Sequence, residues 1–364
     1  MNAPVIFILV PLLTSILLWL FQERSKFVKL TGLSLSGLLF LLAWKLPIEE
    51  VIHIGAFSIQ FPSVFFIFGR SLTILPADRS ILMWIYFIQS LWLVGNLVIP
   101  TNRLFVPASL GMVSLFVAAL AVTPFLYAAL LIELAVLISV PMLSPAGMQV
   151  VPKGVLRYLI FLTLAMPFIL ITGWMFTGVN TGSPALDLLL RGGVMLGLGF
   201  AFLLAVFPFY TWIPLLAEQD EPYVVGFVLI LLPTVVLIFG LNFLDQYTWL
   251  RTSPELSAAL QLTGTIMVVT GGIWAAFQNH LGRLMGYAVI IETGFSLLAL
   301  SPGNGTSYII FSTLFLPRLM GLFTATMALA VISKNGQSLR LQDSRELIRT
   351  YPVASVAFLA SIVS

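Results

Sequence analysis

Three charged residues lie near the middle of long apolar segments, and they are the residues whose types could do chemistry. Glu133 falls in the run 124–143, Glu292 in MGYAVIIETGF and Arg318 in FLPRLMGLF. A charge at the centre of a bilayer costs ~2.5–3.5 kcal/mol on insertion scales, so such residues are functional candidates by default. A carboxyl group removed from water favours its neutral form and can exchange a proton when its surroundings change, which is the chemistry of a proton relay.

Each of these residues also has a purely structural interpretation. A protonated glutamic acid can hydrogen-bond a neighbouring helix and act only in packing. Arg318 cannot lose its proton, so it needs a carboxylate, backbone carbonyls or water as its partner. Pro317, just before it, removes a helical hydrogen bond. The sequence therefore predicts a kink or break at Pro317 and a polar pocket beside Arg318.

The composition shows which solvent surrounds these charges. Hydrophobic residues make up 60% of the chain and charged residues only 9%, and the mean hydropathy is +1.08. These values exclude a soluble domain. Because a helix needs about 20 apolar residues to cross a bilayer, the sequence predicts an all-α polytopic membrane protein with about eleven complete transmembrane helices. We place them approximately at 3–21, 29–44, 81–99, 104–122, 124–143, 155–176, 189–209, 223–244, 257–277, 281–300 and 308–333.

A partial twelfth helix is predicted at the end of the sequence. It begins near Tyr351 and reaches Ser364 after only ~14 residues, where ~20 are needed to cross. The sequence is therefore expected to stop inside a helix, either because a partner supplies the rest or because the protein is C-terminally truncated. The second interpretation is preferred.

Basic residues in the loops predict the orientation of the chain, because short cytoplasmic loops retain Lys and Arg. Loops after even-numbered spans hold few of them: Lys45, Arg70, Arg79, Arg191 and Arg251. Loops after odd-numbered spans hold many more: Arg24, Lys26, Lys29, Arg103, Lys153, Arg157, Arg283, Lys334, Arg340, Arg345 and Arg349. The expected location is the inner (cell) membrane, with the N-terminus outside and the lipid bilayer as one partner.

Missing residue types exclude several kinds of site. The chain has no cysteine and only two histidines, His53 and His280, both near span ends. Disulfides, iron–sulfur clusters and cysteine-ligated haem are therefore excluded, and a bis-histidine haem is disfavoured. No Gly-rich phosphate-binding motif is visible either. We expect no cofactor, no metal site, no catalytic residue and no nucleic-acid partner.

A long segment, 45–80, interrupts the helices on the predicted outer side. Its stretch VIHIGAFSIQF alternates apolar and polar residues across a glycine. This pattern predicts a small external β-hairpin on the membrane surface. The favoured interpretation is that the hairpin only covers the outer side of the helices and takes no part in a reaction or in transport.

The connection between the seventh and eighth predicted spans carries the most specific pattern. The segment 199–236 contains two proline-flanked aromatic turns and a proline that opens the next helix. It resembles the antiporter-like membrane subunits of respiratory complex I and their relatives, the multisubunit cation/proton antiporters and membrane-bound hydrogenases, where this segment commonly reads like PFHxWLPDAxxxAPTPV. Pro208, Trp212, Pro214 and Pro222 stand at matching positions.

Three other segments strengthen the resemblance, which covers essentially the whole chain. LLIELAVLI is similar to the family's fifth-helix segment and its glutamate, here Glu133. HLGRLMGYAVIIETGF is similar to KRLLAYSSIxHxGY and matches it at Arg283 and Tyr287, and YPVASVAFLASIVS is similar to the start of the family's twelfth helix. No single motif is diagnostic, but their order and spacing are.

The resemblance implies an antiporter-like fold with inverted repeats and broken helices. N-terminal helices with the external hairpin 45–80 would occupy residues 1–122. The first repeat would span 104–244, and an incomplete second repeat would span 257–364.

The resemblance also implies a proton relay of charged residues, and several of those residues are replaced in this chain. A helix-seven lysine that pairs with the helix-five glutamate in the family is Leu203 here, and a second lysine, in helix eight, is replaced at Pro233-Thr234. Glu292 takes a histidine position, and Arg318 is the nearest analogue of a basic residue on helix eleven. The usual glutamate–lysine switch is therefore absent at Glu133.

The acidic loop from Glu218 to Glu221 stands where cytoplasmic positive charge is expected. A solvated loop is the favoured interpretation of these four residues. A docking surface is the alternative.

Two functional classes fit these observations. In the first, the chain is a subunit that translocates protons or monovalent cations along a modified path. That path would use Glu133, Glu292 and Arg318, with water bridging to Thr234 or Tyr210, and the other membrane subunits of a multisubunit complex would be its partners. In the second, the chain is a scaffold that has lost transport. An independent solute carrier is a third possibility, but no residue identifies a solute.

Overall fold

A computed structural model describes residues 2–54, 57–67, 69–144, 151–177, 186–246, 248–251, 253–301, 305–334 and 339–363. The chain divides into two compact units, one from 1–146 and 166–196 and the other from 147–165 and 197–364. Helices make up most of both units. The described α-helices are α1 (Val10–Leu20), α2 (Ser25–Lys45), α3 (Arg79–Val98), α4 (Phe105–Ala121), α5 (Ala128–Leu143), α6 (Lys153–Thr177), α7 (Leu186–Leu203), α8 (Trp212–Gln219), α9 (Pro222–Gln246), α10 (Thr248–Arg251), α11 (Pro254–Ala276), α12 (Leu281–Leu300), α13 (Gly305–Lys334), α14 (Ser344–Thr350) and α15 (Pro352–Val363).

The helices confirm the predicted all-α polytopic membrane fold. Within the described ranges, eight helices are long and apolar enough to cross a bilayer, and four shorter apolar helices accompany them. Together they account for every predicted span. How many of the shorter helices cross the bilayer stays a prediction.

The first unit begins with a π-helical turn, Val5–Leu9, that runs into α1. Pro11 has no N–H, so the carbonyl of Phe7 lacks its usual helical donor. The hydroxyl of Tyr86 on α3 donates to that carbonyl, and the hydroxyl of Ser114 on α4 donates to the carbonyl of Ile8 at 2.6 Å. Hydroxyl groups on two neighbouring helices thus donate hydrogen bonds to backbone carbonyls of the π-helical turn.

Short antiparallel strands follow α2, as the alternating sequence predicted. β1 (Val51–Ile54) pairs with β2 (Phe57–Gln60), which is the predicted hairpin. A second hairpin that the sequence analysis missed joins β3 (Val64–Ile67) to β4 (Arg70–Thr73), and β5 (Val122–Thr123) adds a third strand beside β4.

The second unit contains the broken helix that the family resemblance implied. We predicted a span over 189–209, but α7 ends at Leu203, so that boundary was wrong. Ala205 has a φ of 51° and Pro208 follows a cis peptide bond. A left-handed residue and a proline that cannot donate both stop a helix, and the chain resumes in a 3₁₀ turn, Phe209–Thr211, before α8.

The sequence predicted a kink or a break at Pro317; the break was wrong, and the kink stays a prediction. α13 continues as one helix from Gly305 to Lys334, with Pro317 inside it. Prolines lie inside α5, α6 and α9 in the same way. Helix-breaking residues are tolerated in membrane helices because neighbouring helices and local adjustments satisfy the freed backbone groups.

α12 packs tightly in the second unit, against α8, α11 and α13. A methyl group on Gly282 would overlap the carbonyl oxygen of Ala217 on α8. One turn later, a Cβ on Gly286 would lie 3.0 Å from the Cα of Pro214. Only glycine permits the approach at position 282, whereas a side chain at position 286 would make a tight contact.

Candidate functional site

Glu292 on α12 and Arg318 on α13 form an ion pair in the second unit. The guanidinium Nε lies 3.2 Å from the Oε2 atom of Glu292, and Nη1 donates a hydrogen bond of 3.0 Å to the hydroxyl of Ser296. Arg318 is only 7% exposed, whereas 30% of the Glu292 side chain is exposed. The acid is therefore more accessible than the base, although its Oε2 atom is buried.

A cavity of about 460 Å³ lies against this ion pair. The sequence analysis predicted a polar pocket beside Arg318; a cavity is found there, but most of its lining side chains are apolar. One wall is a face of α12, because residues four apart lie above one another on a helix. That face carries Leu284, Ala288, Glu292 and Ser296. The other lining residues are Ala275, Ile291, Phe295, Phe311, Leu314, Phe315, Pro317, Arg318, Gly321, Ser361 and Ile362.

The ion pair leaves polar atoms unsatisfied. Among the described residues, the Nε and Nη2 atoms of Arg318 and the Oε2 atom of Glu292 have no well-aligned hydrogen-bond partner, although the opposite charges are adjacent. A buried polar group without a partner costs about 1–3 kcal/mol. Nη2 of Arg318 can therefore donate to water in the cavity, whereas a proton that reaches Glu292 must compete with the charge of Arg318.

The family-motif residues occupy a different face of α12. Arg283 donates to the Oε2 atom of Glu218 on α8 at 2.7 Å from Nε and 2.6 Å from Nη2. The ring of Tyr287 lies 6.4 Å from that of Tyr210. Glu292 is nine residues beyond Arg283, which is roughly half a turn around a helix of about 3.6 residues per turn. Thus α12 presents Arg283 to α8, Tyr287 to the turn before α8, and Glu292 to α13.

The motif aromatic and prolines have structural positions. Trp212 is 1% exposed, and its ring lies 5.1 Å from the ring of Tyr158. Pro208 lies at the break after α7, and Pro214 meets Gly286. Pro222 begins α9, where a proline is favoured because the first N–H of a helix has no partner.

The positions that carry lysines in the resembling family are packed in this chain. Leu203 is 3% exposed. Thr234 is also 3% exposed, and its hydroxyl donates to the carbonyl of Ile230 in its own helix at 2.6 Å. The proton of that hydroxyl is already used, so Thr234 can offer only an acceptor oxygen to an ion path.

Glu133 lies in the first unit, near the middle of α5. It is half-buried and borders a row of exposed leucines, Leu130, Leu134 and Leu137. No hydrogen bond or ion pair reaches its carboxylate from the residues that the structure describes. Glu133 thus differs from Glu292, whose cation lies on the adjacent helix.

Asp220 shows that the acidic loop is not wholly solvated. It is 9% exposed, and within the described part of the chain neither carboxylate oxygen has a hydrogen-bond partner. Burial, and secondarily the charge of Glu221, raise the pKa of Asp220 to about 7. The expectation of a solvated loop was wrong for this residue.

Comparison with known proteins identifies the family. Residues 158–364 match the family described as NADH:quinone oxidoreductase/Mrp antiporter, transmembrane. The chain belongs to this family.

Individual relatives carry related names. The chain is 29% identical over 226 residues to NADH-quinone oxidoreductase subunit 14 of Thermus thermophilus, a match covering 58% of this chain and 47% of that protein. It is 29% identical over 185 residues to NADH-quinone oxidoreductase subunit N of a Caulobacter strain, covering 48% of this chain and 36% of the relative. The matches thus extend over less than half the length of these curated relatives.

Solved structures show the same fold. A chain of respiratory complex I from Thermus thermophilus with bound aureothin superposes with a TM-score of 0.69 and 20% identity, covering 97% of this chain and 77% of that one. A chain of the Mrp complex from a Dietzia strain gives a TM-score of 0.76 at 14% identity, covering 99% and 70%. At these identities the likeness shows the fold alone.

The residues matched by the family include only part of the candidate site. α12 and α13, with Glu292 and Arg318, fall inside the matched residues 158–364, whereas Glu133 precedes them. In the described part of the chain, no group of three or more His, Cys, Asp or Glu side chains could hold a metal ion.

Sequence reasoning found both members of the ion pair but neither paired them nor included Ser296. Two signals were available. The two charges lie near mid-span on consecutive helices, and Ser296 is four residues after Glu292, on the same helix face.

Proposed function

We propose that this chain is an ion-translocating membrane subunit of an assembly similar to complex I or to the Mrp antiporters, carrying protons or monovalent cations. The observation that supports it most directly is the Glu292–Arg318 ion pair, held on two membrane helices and facing a cavity of about 460 Å³. Charges at membrane depth are costly and mark ion pathways and proton relays.

The ion pair has the parts that a proton-exchange step needs. Ionised Glu292 attracts the permanently charged Arg318, so a proton that neutralises the acid removes this attraction. Arg318 is buried and cannot discharge, so its guanidinium must then take another acceptor, such as cavity water. The charge state of Glu292 would in this way set the position of Arg318.

Glu133 is the second acid in the proposal and serves the first unit. Thr234 and Tyr210 would contribute oxygen atoms to bridging water rather than charge. The proposed setting is the inner membrane of the cell, with the N-terminus outside and other membrane subunits as partners. The proposed repeats at 104–244 and 257–364 would place one acid in each.

Glu292→Gln tests the proposal in the parent complex reconstituted into proteoliposomes. Glutamine keeps the shape and most hydrogen-bonding capacity but cannot carry the charge, so ion flux should be abolished while assembly is normal. Glu133→Gln should have the same effect. Glu255→Gln is the matched control, because Glu255 is exposed at the start of α11, and its flux should equal that of the wild type.

A transport-inactive scaffold is the alternative function, and specific residues favour it. Leu203 is packed where the family's relay has a lysine, and the hydroxyl of Thr234 donates within its own helix. Normal flux in both glutamine variants, with normal assembly, would establish the scaffold and reject translocation through these acids.

A further inference from the structure

Two backbone hydrogen bonds join the start of α12 to the segment that follows α13. The amide of Leu281 donates to the carbonyl of Leu339, and the amide of Leu341 donates to the carbonyl of Asn279, both at 2.8 Å. They form an isolated antiparallel pairing outside the named strands, and we call them the 280–340 bridge. A pairing of only two hydrogen bonds is a small cooperative unit, which can open locally while the helices stay folded.

The bridge links the two helices of the candidate site. α12 begins at Leu281 and carries Glu292. α13 ends at Lys334 and carries Arg318. The bridge therefore limits how far the start of α12 and the end of α13 can separate. Because both members of the ion pair lie on these helices, the geometry of the pair depends in part on the bridge.

The imidazole of His280 lies beside the contact between α8 and α12. His280 immediately precedes α12 and is half-buried. A Cβ atom on Gly282 would lie 3.2 Å from the Cε1 atom of His280 and would overlap the carbonyl oxygen of Ala217 on α8. A change in the charge of the ring therefore acts directly at the closest approach of the two helices.

The surroundings of the ring favour its neutral form. The Nδ1 atom of His280 is buried and has no hydrogen-bond partner among the described residues. A neutral imidazole can leave one nitrogen as an acceptor, whereas an imidazolium must donate from both. Burying a donor that has no acceptor is costly, so protonation of His280 is unfavourable while the bridge is closed.

Charged side chains from three elements face the ring: Glu218 from α8, Arg283 from α12 and Arg340 from the segment after α13. They are the charged residues that line the adjacent cavity of about 280 Å³. Burial has the largest effect and lowers the pKa of His280. The negative charge of Glu218 opposes this decrease, and the two arginines add to it. Glu218 already pairs with Arg283 at 2.6 Å.

Acid therefore destabilises the closed bridge. The ordinary pKa of histidine is 6.5, and the folded chain lowers the pKa of His280 below that value. The stability that depends on the neutral ring is present above pH 6.5 and is lost as the pH falls through the folded-state pKa. A proton binds more readily to an open form in which the imidazole reaches water.

We propose that His280 is a pH-responsive switch: its neutral imidazole keeps the 280–340 bridge closed, and its protonation opens the bridge. Opening frees the start of α12 from the segment after α13 and shifts Glu292 relative to Arg318, which lowers ion flux. This effect on flux rests on the function proposed above, whereas the opening does not. The loop charges predict that this side is cytoplasmic, so the switch responds to cytoplasmic acid.

Hydrogen–deuterium exchange of the full chain in nanodiscs tests the opening. The protection of the Leu281 and Leu341 amides is compared at about pH 5 and about pH 7.5, on either side of the range in which histidine titrates, after correction for the intrinsic rate of exchange. Acid should lower wild-type protection by roughly 3- to 30-fold. The upper limit is set by a free imidazole with a pKa of 6.5.

Two neutral variants and one control separate the switch from a packing role. His280→Gln and His280→Asn should keep the neutral wild-type protection at both pH values. His53→Gln is the matched control, because His53 is the other histidine of the chain and lies on β1 in the first unit; its acid opening should equal that of the wild type.

Three results would overturn the proposal. The first is a wild-type bridge that is equally protected at both pH values. The second is an acid loss in His280→Gln as large as that of the wild type. The third is protection lost at both pH values in both neutral variants, because His280 would then act only in packing.

Flux in proteoliposomes tests the second step. Because a bridge of two hydrogen bonds is marginally stable, acid on the predicted cytoplasmic side should open a substantial fraction of molecules. Wild-type flux should then fall roughly twofold or more relative to His280→Gln. Equal reductions in both proteins would reject control of flux by the bridge. No flux in either protein, with acid opening intact, would reject the proposed function and leave the switch established.

Discussion

Two glutamates in the middle of apolar helices have opposite environments. Glu292 has a buried arginine 3.2 Å away and a cavity at its accessible side. Glu133 is half-buried beside exposed leucines, and no described residue pairs with it. The difference shows that a glutamate in the middle of an apolar helix can have a partner within its own unit or have none among the described residues.

The largest loss of stability should come from removing one member of the Glu292–Arg318 ion pair. Arg318→Leu leaves Glu292 without its cation, and breaking a buried pair in this way costs about 3–5 kcal/mol. Thermal unfolding of the purified chain in nanodiscs should show a large loss of stability. The double variant Arg318→Leu with Glu292→Leu should recover most of it, because no unpaired charge then remains. A double variant as unstable as the single one would show that packing, and not charge, maintains this region.

A lysine at the packed position on α7 should have the next largest effect. Leu203→Lys buries a cation at a site that is 3% exposed, and a lysine at membrane depth costs ~2.5–3.5 kcal/mol. The unfolding midpoint should fall well below that of Leu203→Met, which keeps the site apolar. Equal midpoints would mean that the introduced lysine finds an acceptor, and the relay would then need only one substitution to regain its cation.

Asp220 is another acid that has no hydrogen-bond partner among the described residues, and it lies outside the membrane-spanning helices. Its pKa is raised from 3.8 to about 7, so the folded protein binds a proton more tightly than the unfolded chain does. Stability from this group is therefore fully present below pH 3.8 and is lost progressively as the pH rises from there through the folded-state pKa of about 7. Asp220→Asn should remove this loss, with a gain on the order of 1–3 kcal/mol at alkaline pH.

Unfolding midpoints measured on both sides of neutrality check this expectation. Asp220→Asn should flatten the pH profile of the wild type, and Glu218→Gln should not, because Glu218 already has Arg283 as its partner. A wild-type midpoint that rises with pH across this range would contradict the sign of the effect.

The smallest effect is expected at Glu133. Glu133→Gln removes a charge that has no described partner, so the free energy of unfolding should change by less than about 0.5 kcal/mol. The same thermal assay measures it beside Glu292→Gln, which should be clearly less stable. A large destabilisation at Glu133 would show that its carboxylate has a partner in the folded protein, and the contrast between the two acids would disappear.

Most of the fold could be predicted from the sequence because long apolar runs have one solution in a bilayer. A helix satisfies its own backbone groups, so hydropathy alone located the spans. It failed at the end of α7, where Ala205 and Pro208 stop the helix inside an apolar run that looks continuous. The missing N–H of proline did not predict whether Pro317 would break its helix, and α13 continues through it.

The candidate site was only partly predictable. The energetic cost of placing a charge inside a membrane identified Glu292 and Arg318 as candidates. Their pairing depends on how α12 packs against α13. The periodicity of a single helix does not contain that information. Asp220 was missed for the same reason, because a charged four-residue loop reads as solvated unless its packing is known. The resemblance to a family supplied the fold, and the altered residues could be assessed only in the structure.

The contact of Gly282 and Gly286 with α8 has a mechanical consequence. With no side chain at Gly282 to separate them, the backbones of α8 and α12 are in direct contact, so a shift of one helix displaces the other. The Arg283–Glu218 ion pair lies at the start of α12, and Glu292 lies roughly 14 Å farther along that helix, at 1.5 Å per residue. A displacement at this ion pair would therefore reach the position at which Glu292 meets its counter-ion.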